Sequence, residues 1–254
     1  MSKAQREQSA RDRIKAQREA DKKQDQRKRM ATYVTVGVVA LAAVGAGWLY
    51  AANQSQSEQA GDNLAPIALQ SDGTAVMANP GVTAPVIDIY EDFQCPACKQ
   101  LEKTSGATFK NLAAEGKAKV VYHPLTIFPP QMNKGVTRSN SVRAGAAARC
   151  VTDGKQWMAF HDKLFEKQPQ EHVEGFTTAE LVELGKEAGV TAPDFATCVT
   201  SQKHAQTHIA DSDKALAAAK IEGTPTVKLN GTKMEQDVAF VPSELRRVVL
   251  DAGK

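Results

Sequence analysis

At 254 residues the chain holds one large domain or two small ones. Its 32 basic and 29 acidic residues leave a net charge of +3, yet eleven basic and five acidic ones fall within residues 1–30, a net of +6 there. The remaining 21 basic and 24 acidic residues carry a mildly acidic −3, which argues against a nucleic-acid partner.

Residues 1–30 have almost no large apolar side chains and cannot bury a core, so they read as a solvated basic cytoplasmic tail. Attraction to anionic headgroups is the functional reading of the same charges. Residues 31–52 are 22 positions without a charge. At 1.5 Å per residue such a helix spans the roughly 30 Å hydrocarbon core. Tyr33 near one end, and Trp48 and Tyr50 near the other, suit the two interfaces. Arg27-Lys28-Arg29 precedes the span and no basic residue follows until after Cys98, which predicts a cytoplasmic N-terminus. A cleaved signal peptide is the alternative. Against it stand an unusually long basic region and Tyr50, which spoils the small-residue cleavage pattern.

Residues 53–80 are small and polar and read as a linker with a short strand at 74–77. The folded part is expected from Gly81. Residues 85–90 form a strand bounded by Pro85 and the motif Phe93-Gln94-Cys95-Pro96-Ala97-Cys98. A helix opens at Pro96, whose missing N–H had no partner in a first turn anyway, and runs to about Ala114 with a bend allowed at Ser105-Gly106. Residues 119–123 give a second strand and complete a βαβ unit.

Two thiols two residues apart, where a strand gives way to a helix, can make and break a disulfide within one turn. Cys95 stands at the helix N-terminus, where unpaired N–H groups and the positive dipole end stabilise a thiolate. The competing reading is half of a structural zinc site. Cys150 and Cys198 stand alone, however, and no further ligand pair follows at metal spacing.

After Phe128-Pro129-Pro130 a helical block replaces the sheet over about 137–220. Residues 144–151 are Ala-rich; Trp157, Phe160, His161, Leu164 and Phe165 share one helix face and read as core. Thr177 and Glu180 form a capping box, Gly189 closes that helix, and two more follow at 193–201 and 205–220. The sheet resumes after Gly223-Thr224-Pro225. Asn230-Gly231 marks a two-residue hairpin before a strand at 232–238, and Pro242-Ser243 opens a closing helix. Glu91 and Asp92 read as solvated, and His123 as nearer to a site without an assigned role.

This order resembles the thioredoxin fold, and specifically the DsbA-like branch with its inserted helical domain: strand, Cys-Pro-Ala-Cys helix, strand, helical insertion, Gly-Thr-Pro-Thr, hairpin, closing helix. The resemblance covers residues 81–254, and the tail and anchor are similar to those of membrane-tethered members from Gram-positive actinobacteria. The expected architecture is therefore α/β, a thioredoxin-like fold with a helical insertion preceded by one transmembrane helix. By resemblance Cys95 is the nucleophile and Cys98 the resolving thiol. Pro225 is expected to be cis beside them, leaving the Thr224 backbone free to pair with an extended substrate; an ordinary trans proline is the alternative. Relatives often carry His where this chain has Ala97, so a less oxidising potential is expected. The family's buried carboxylate six positions before the first cysteine is replaced by Ile89, and Asp88 is out of register. Cys150 and Cys198 are expected to form a structural disulfide, with two buried free thiols as the alternative.

The resemblance implies an extracytoplasmic protein dithiol oxidase. It acts on reduced exported proteins, needs no cofactor or metal, and is reset by a quinone-linked membrane oxidase of the DsbB or vitamin-K-epoxide-reductase (VKOR) type. A reductase or isomerase of the same fold is the near alternative. A Cu(I) metallochaperone using the same two thiolates is the alternative from another class, and an interaction domain with an inert bridge is a third. If residues 31–52 are an uncleaved anchor, mass spectrometry of membrane-extracted protein returns a species that retains them. A species lacking about the first fifty residues is the result of signal-peptide cleavage instead.

Overall fold

The computed structural model describes residues 64–254. The tail at 1–30, the anchor at 31–52 and the first part of the linker lie outside the described residues. Among the described residues no helix is long and apolar enough to cross a membrane.

The sheet is built around β3 (Val86–Glu91), in which Ile87 and Ile89 are fully buried on one face with the two-residue period of a strand. Its parallel partner β4 (Lys119–Pro124) needs a crossover, which α1 (Pro96–Ala114) supplies. On its other side β5 (Thr226–Leu229) pairs antiparallel and continues through Asn230-Gly231 into β6 (Thr232–Lys233). Both turn residues have positive φ, +50° and +81°, as a type I′ hairpin demands. Two strands ahead of Gly81 extend the opposite edge: β1 (Ile67–Leu69) pairs with β2 (Ala75–Met77), and β2 with β4. The strand order is β1-β2-β4-β3-β5-β6.

Two expectations are corrected here. The fold does not begin at Gly81, because Ala75 and Met77 alternate into the core with no exposure and recruit their neighbours as strands. The strand expected at 232–238 stops at Lys233. Glu235, Gln236 and Asp237 are poor strand formers on an edge, and α7 (Gln236–Ala239) forms there. Helix α1 also passes through Ser105-Gly106 unbroken. A side chain at 106 would lie 2.6 Å from Glu102 Oε2, so this glycine makes room for a carboxylate rather than a bend.

The insertion comprises α2 (Val136–Ala148), α3 (Gly154–Glu166), α4 (Thr178–Glu187), α5 (Phe195–Thr200) and α6 (Ala205–Ala219). Its small residues permit close helix approach. A Cβ on Gly145 would fall 2.0 Å from His208, and one on Gly185 2.1 Å from Phe195. Thr177 and Glu180 make the reciprocal capping box of α4, and Asp153 caps α3 by accepting from Gln156 N at 2.9 Å. The buried faces of α1 (Leu101, Phe109, Leu112), of the closing helix α8 (Pro242–Ala252; Leu245, Val249) and of α3 (Trp157, Phe160, Leu164) join the strand residues in one hydrophobic cluster. Each such side chain contributes about 1.5–3 kcal/mol on burial. The insertion is thus a wall of the same core.

Cys150, just past α2, and Cys198, on α5, are joined by a disulfide across 48 residues. In the chain-entropy view that closure contributes about 4 kcal/mol. Replacing both cysteines by serine should lower the denaturant midpoint and raise the m-value, since the unfolded chain without the link is more expanded, and a loss under about 1 kcal/mol would show that the bridge adds little.

Candidate functional site

The site starts where β3 ends. Asp92 turns the chain: its Oδ1 accepts from Gln94 N at 2.8 Å, and its Oδ2 accepts from Ile127 N at 3.0 Å and from Ser141 Oγ at 2.8 Å. Its carbonyl accepts from Cys95 N at 2.9 Å. One carboxylate thereby joins the motif loop, the segment after β4, and α2. Cys95 follows as the N-cap of α1, with extended backbone and Pro96 in the first turn. Pro96 and Ala97 are exposed, Cys95 is 7% exposed and Cys98 is fully buried.

The two sulfurs are free thiols with opposed character. Cys95 is lowered to about 7, first by a hydrogen bond from the Cys98 thiol, against the opposing effect of burial, and further by hydrogen bonding to Thr224 and the Cys98 backbone. Cys98 is pushed well up by burial and by the Cys95 sulfur, with the Glu91 charge adding to it. Across the site Cys95 Sγ lies 3.3 Å from Thr224 O, in the cis Thr224–Pro225 peptide. Thr224 and Pro225 are half-buried and line a cavity of about 500 Å³ with Met234, Glu235, Asp237 and Phe240.

Glu91 and Asp92 are not solvated, as the sequence suggested; both have no exposure. The alternation Ile87, Ile89 continues one step to place Glu91 on the core face. There its Oε1 meets His161 Nε2 at 2.7 Å, inside a shell of Phe93, Tyr122, Trp157 and Phe165 rings. His161 is packed in the core as expected, but as a cation. Burial opposes its charge, yet Glu91 and Asp162 together raise it to about 10. Lys110 Nζ closes the chain on Asp162 at 2.6 Å. Glu102, one turn below Cys98 on α1, is half-buried, and its Oε1 is shut off from solvent with no hydrogen-bond partner. Burial and the Glu91 charge raise it to about 7. Glu91 and Glu102 thus place two carboxyls behind the cysteines, while Ile89 stands at the position expected for the family's buried carboxylate. The signal for Glu102 was its i+4 spacing from Cys98, with Gly106 another i+4 below.

Cys150 and Cys198 sit in the insertion, bonded to each other, as a pair separate from Cys95 and Cys98. His123 is engaged on the other face of the sheet, 2.9 Å from Asp88 Oδ1 and stacked on Tyr90. Among the described residues, the clusters of three metal-type donors are Cys150–Cys198–His204 and Glu91–Glu102–His161; neither includes Cys95 or Cys98.

The sequence model of the thioredoxin family matches residues 76–249. The chain belongs to that family. Within it, the chain is similar to oxidised DsbA of Mycobacterium tuberculosis, at 31% identity and a TM-score of 0.58, covering 74% of this chain and 92% of that one. It is equally similar to the reduced disulfide oxidoreductase DsbG of the same organism, at 32% identity and 0.57, covering 73% and 86%. The serine/threonine-protein kinase PknE of M. tuberculosis is 30% identical over 161 residues; these make up 60% of this chain and 28% of the kinase. This thioredoxin-family chain therefore falls among disulfide oxidoreductases of the DsbA and DsbG type.

The buried carboxyls give a pH signature. Glu102 titrates at about 7 in the folded chain against an ordinary 4.5, so the folded state binds its proton more tightly. Its stabilising effect is full below pH 4.5 and is lost as pH rises through 7, a difference on the order of 3 kcal/mol. Asp92, raised to about 6 chiefly by burial, adds to the same slope. Glu102→Gln should therefore be more stable than the parent at pH 8 and should flatten, without abolishing, the gain in stability from pH 8 to 4.5. Denaturant titrations at these pH values that track the parent would refute the assignment.

Proposed function

We propose that this chain is an extracytoplasmic protein dithiol oxidase working through Cys95 and Cys98. The observation that supports it most is the asymmetry of the pair: one low-pKa sulfur at the mouth, against Thr224 O, and one high-pKa sulfur sealed behind it. Starting from the oxidised pair, a client thiolate attacks Cys95 Sγ, the Cys95–Cys98 bond breaks, and Cys98 leaves as a thiolate that takes up a proton. Glu102, one turn below and titrating near neutrality, is the proton reservoir for that step. A second client thiolate then attacks the client sulfur of the mixed disulfide, and Cys95 leaves as a stabilised thiolate. The client gains a disulfide, the enzyme holds two thiols, and two electrons have moved. The lower the Cys95 pKa, the better it leaves.

Reduced exported proteins are the substrates in this reading. The uncharged stretch at 31–52 behind Arg27-Lys28-Arg29 supports a single-pass placement with the thioredoxin domain outside the cytoplasm. Outside, disulfides such as Cys150–Cys198 persist. A quinone-linked membrane oxidase of the DsbB or VKOR type resets the pair.

A reductase or isomerase is the second reading, and one observation favours it. Cys95 at about 7 matches the value of about 7 for thioredoxin rather than the ≈3.5 of a strongly oxidising DsbA, and Ala97 supplies no cation beside it. The equilibrium potential of the pair against glutathione separates the two. A potential between roughly −120 and −230 mV, with oxidation of a reduced, unfolded protein that Cys95→Ser abolishes, is the expected result. A value near −270 mV with insulin reduction alone would replace the oxidase by a reductase.

A further inference from the structure

The reactive loop is held by the insertion through a set of hydrogen bonds that the thiol chemistry above does not use. At the end of α3 the chain turns through Lys167, Gln168 and Pro169. Gln168 Nε2 donates to the carbonyls of Phe93 and Cys95, each at 2.9 Å. Gln94, between those two carbonyls and without exposure, reaches the other way and donates from Nε2 to Pro169 O at 2.6 Å. One turn into α1, Lys99 Nζ donates to Glu166 O at 3.0 Å. Four bonds thus tie residues 93–99 to residues 166–169, some seventy positions away, and all four accept on backbone carbonyls. Phe93 seals the contact from below, its ring 5.2 Å from Phe165.

The carbonyl of Cys95 is the one that starts α1, accepting from Lys99 N at 3.2 Å. A planar carboxamide that bridges it to the Phe93 carbonyl fixes the Phe93–Gln94 and Cys95–Pro96 peptide planes, one on each side of the Gln94-Cys95 pair. The direction of the Cys95 Cα–Cβ bond is fixed with them, and so is the placement of its sulfur against Thr224 O and the Cys98 thiol. We infer that Gln168 is a positioning residue for Cys95, so that the seating of the helical insertion sets the reactivity of the nucleophile. The inference rests on the proposal that Cys95 is the reactive thiol, whichever way the electrons flow. With the bridge gone the loop samples orientations in which Cys98 no longer donates to Cys95, and the thiolate loses its chief stabilisation. The insertion then serves as the part that tunes the motif as well as a lid over it.

The test uses the full chain with Gln168→Met, which keeps length and packing but has no N–H, and Gln168→Glu, which sets an acceptor against the two carbonyls. The readouts are the pH profile of Cys95 alkylation and the equilibrium of the Cys95–Cys98 pair with glutathione, with thermal midpoints measured alongside. The expected result is a Cys95 profile displaced upward by about one pH unit in Gln168→Met, a roughly fivefold smaller thiolate fraction at pH 7, and further in Gln168→Glu, with the pair more easily kept oxidised in both. Gln94→Met, which removes only the bond to Pro169, should lower the thermal midpoint and move the profile less. A merely structural clamp changes midpoints and leaves profile and equilibrium at parental values in both Gln168 variants; that outcome overturns the inference. If the parent itself shows no thiolate near neutral pH and no exchange with glutathione, the functional reading fails first and this one with it.

Discussion

A contact of 3.3 Å between Cys95 Sγ and the carbonyl of Thr224 joins positions 129 residues apart, and the architecture exists to hold it. Closing so long a loop has an entropic cost, although it grows only slowly with length. The offset comes from β3, which pairs with β5 along Ile87–Tyr90 and so delivers the end of one strand and the start of the other to the same edge of the sheet. The motif and the proline turn meet because one follows β3 and the other precedes its antiparallel neighbour β5. The antiparallel pairing of β3 with β5 thus determines the chemistry as much as the cysteines do.

Beneath the contact the protein buries charge, which needs a reason. A buried ion pair seldom stabilises more than the apolar residues that could replace it. Here Glu91, His161, Asp162 and Lys110 form one chain of alternating sign, and Glu102 is left with an unpartnered oxygen beside it. Burial raises both Cys98 and Glu102, with the Cys95 sulfur and the Glu91 charge adding to the first and the Glu91 charge to the second. Glu91 and Asp162 raise His161 against its burial. The two sulfurs differ in protonation chiefly because Cys98 is buried and donates to Cys95, and the charge of Glu91 behind them adds to that difference at Cys98.

How much of this was legible in the sequence follows the range of the interactions. The motif, the capping box of α4, the type I′ turn at Asn230-Gly231 and the helical insertion are local patterns, and the structure has all of them. The disulfide was legible by resemblance to the family. Of the two edge strands, β2 was legible as a short strand at 74–77, whereas β1 was lost in a stretch whose polar composition resembles a tether. Glu91 was misread because a carboxylate beside an exposed-looking motif is usually hydrated. The alternation through Ile87 and Ile89 pointed inward all the same, and its partner His161 lay seventy residues away on a helix face already taken as core. Gln168 carried no signal, since its partners are carbonyls of the main chain, which every residue has.

These long-range contacts change how the insertion should be understood. It does not rest on the thioredoxin sheet as a separable cap, because Asp92 reaches Ser141 on α2, Gln94 reaches Pro169 after α3, and the core runs unbroken beneath both. The Cys150–Cys198 bond fastens the end of α2 to α5 at the far side of the insertion, so any loosening there would pass through α2 to Ser141 and on to Asp92. A run of bonds thus leads from Cys198 through Cys150 and α2 to Ser141 and Asp92, whose carbonyl accepts from Cys95 N, so the insertion and the reactive loop are parts of one packed unit.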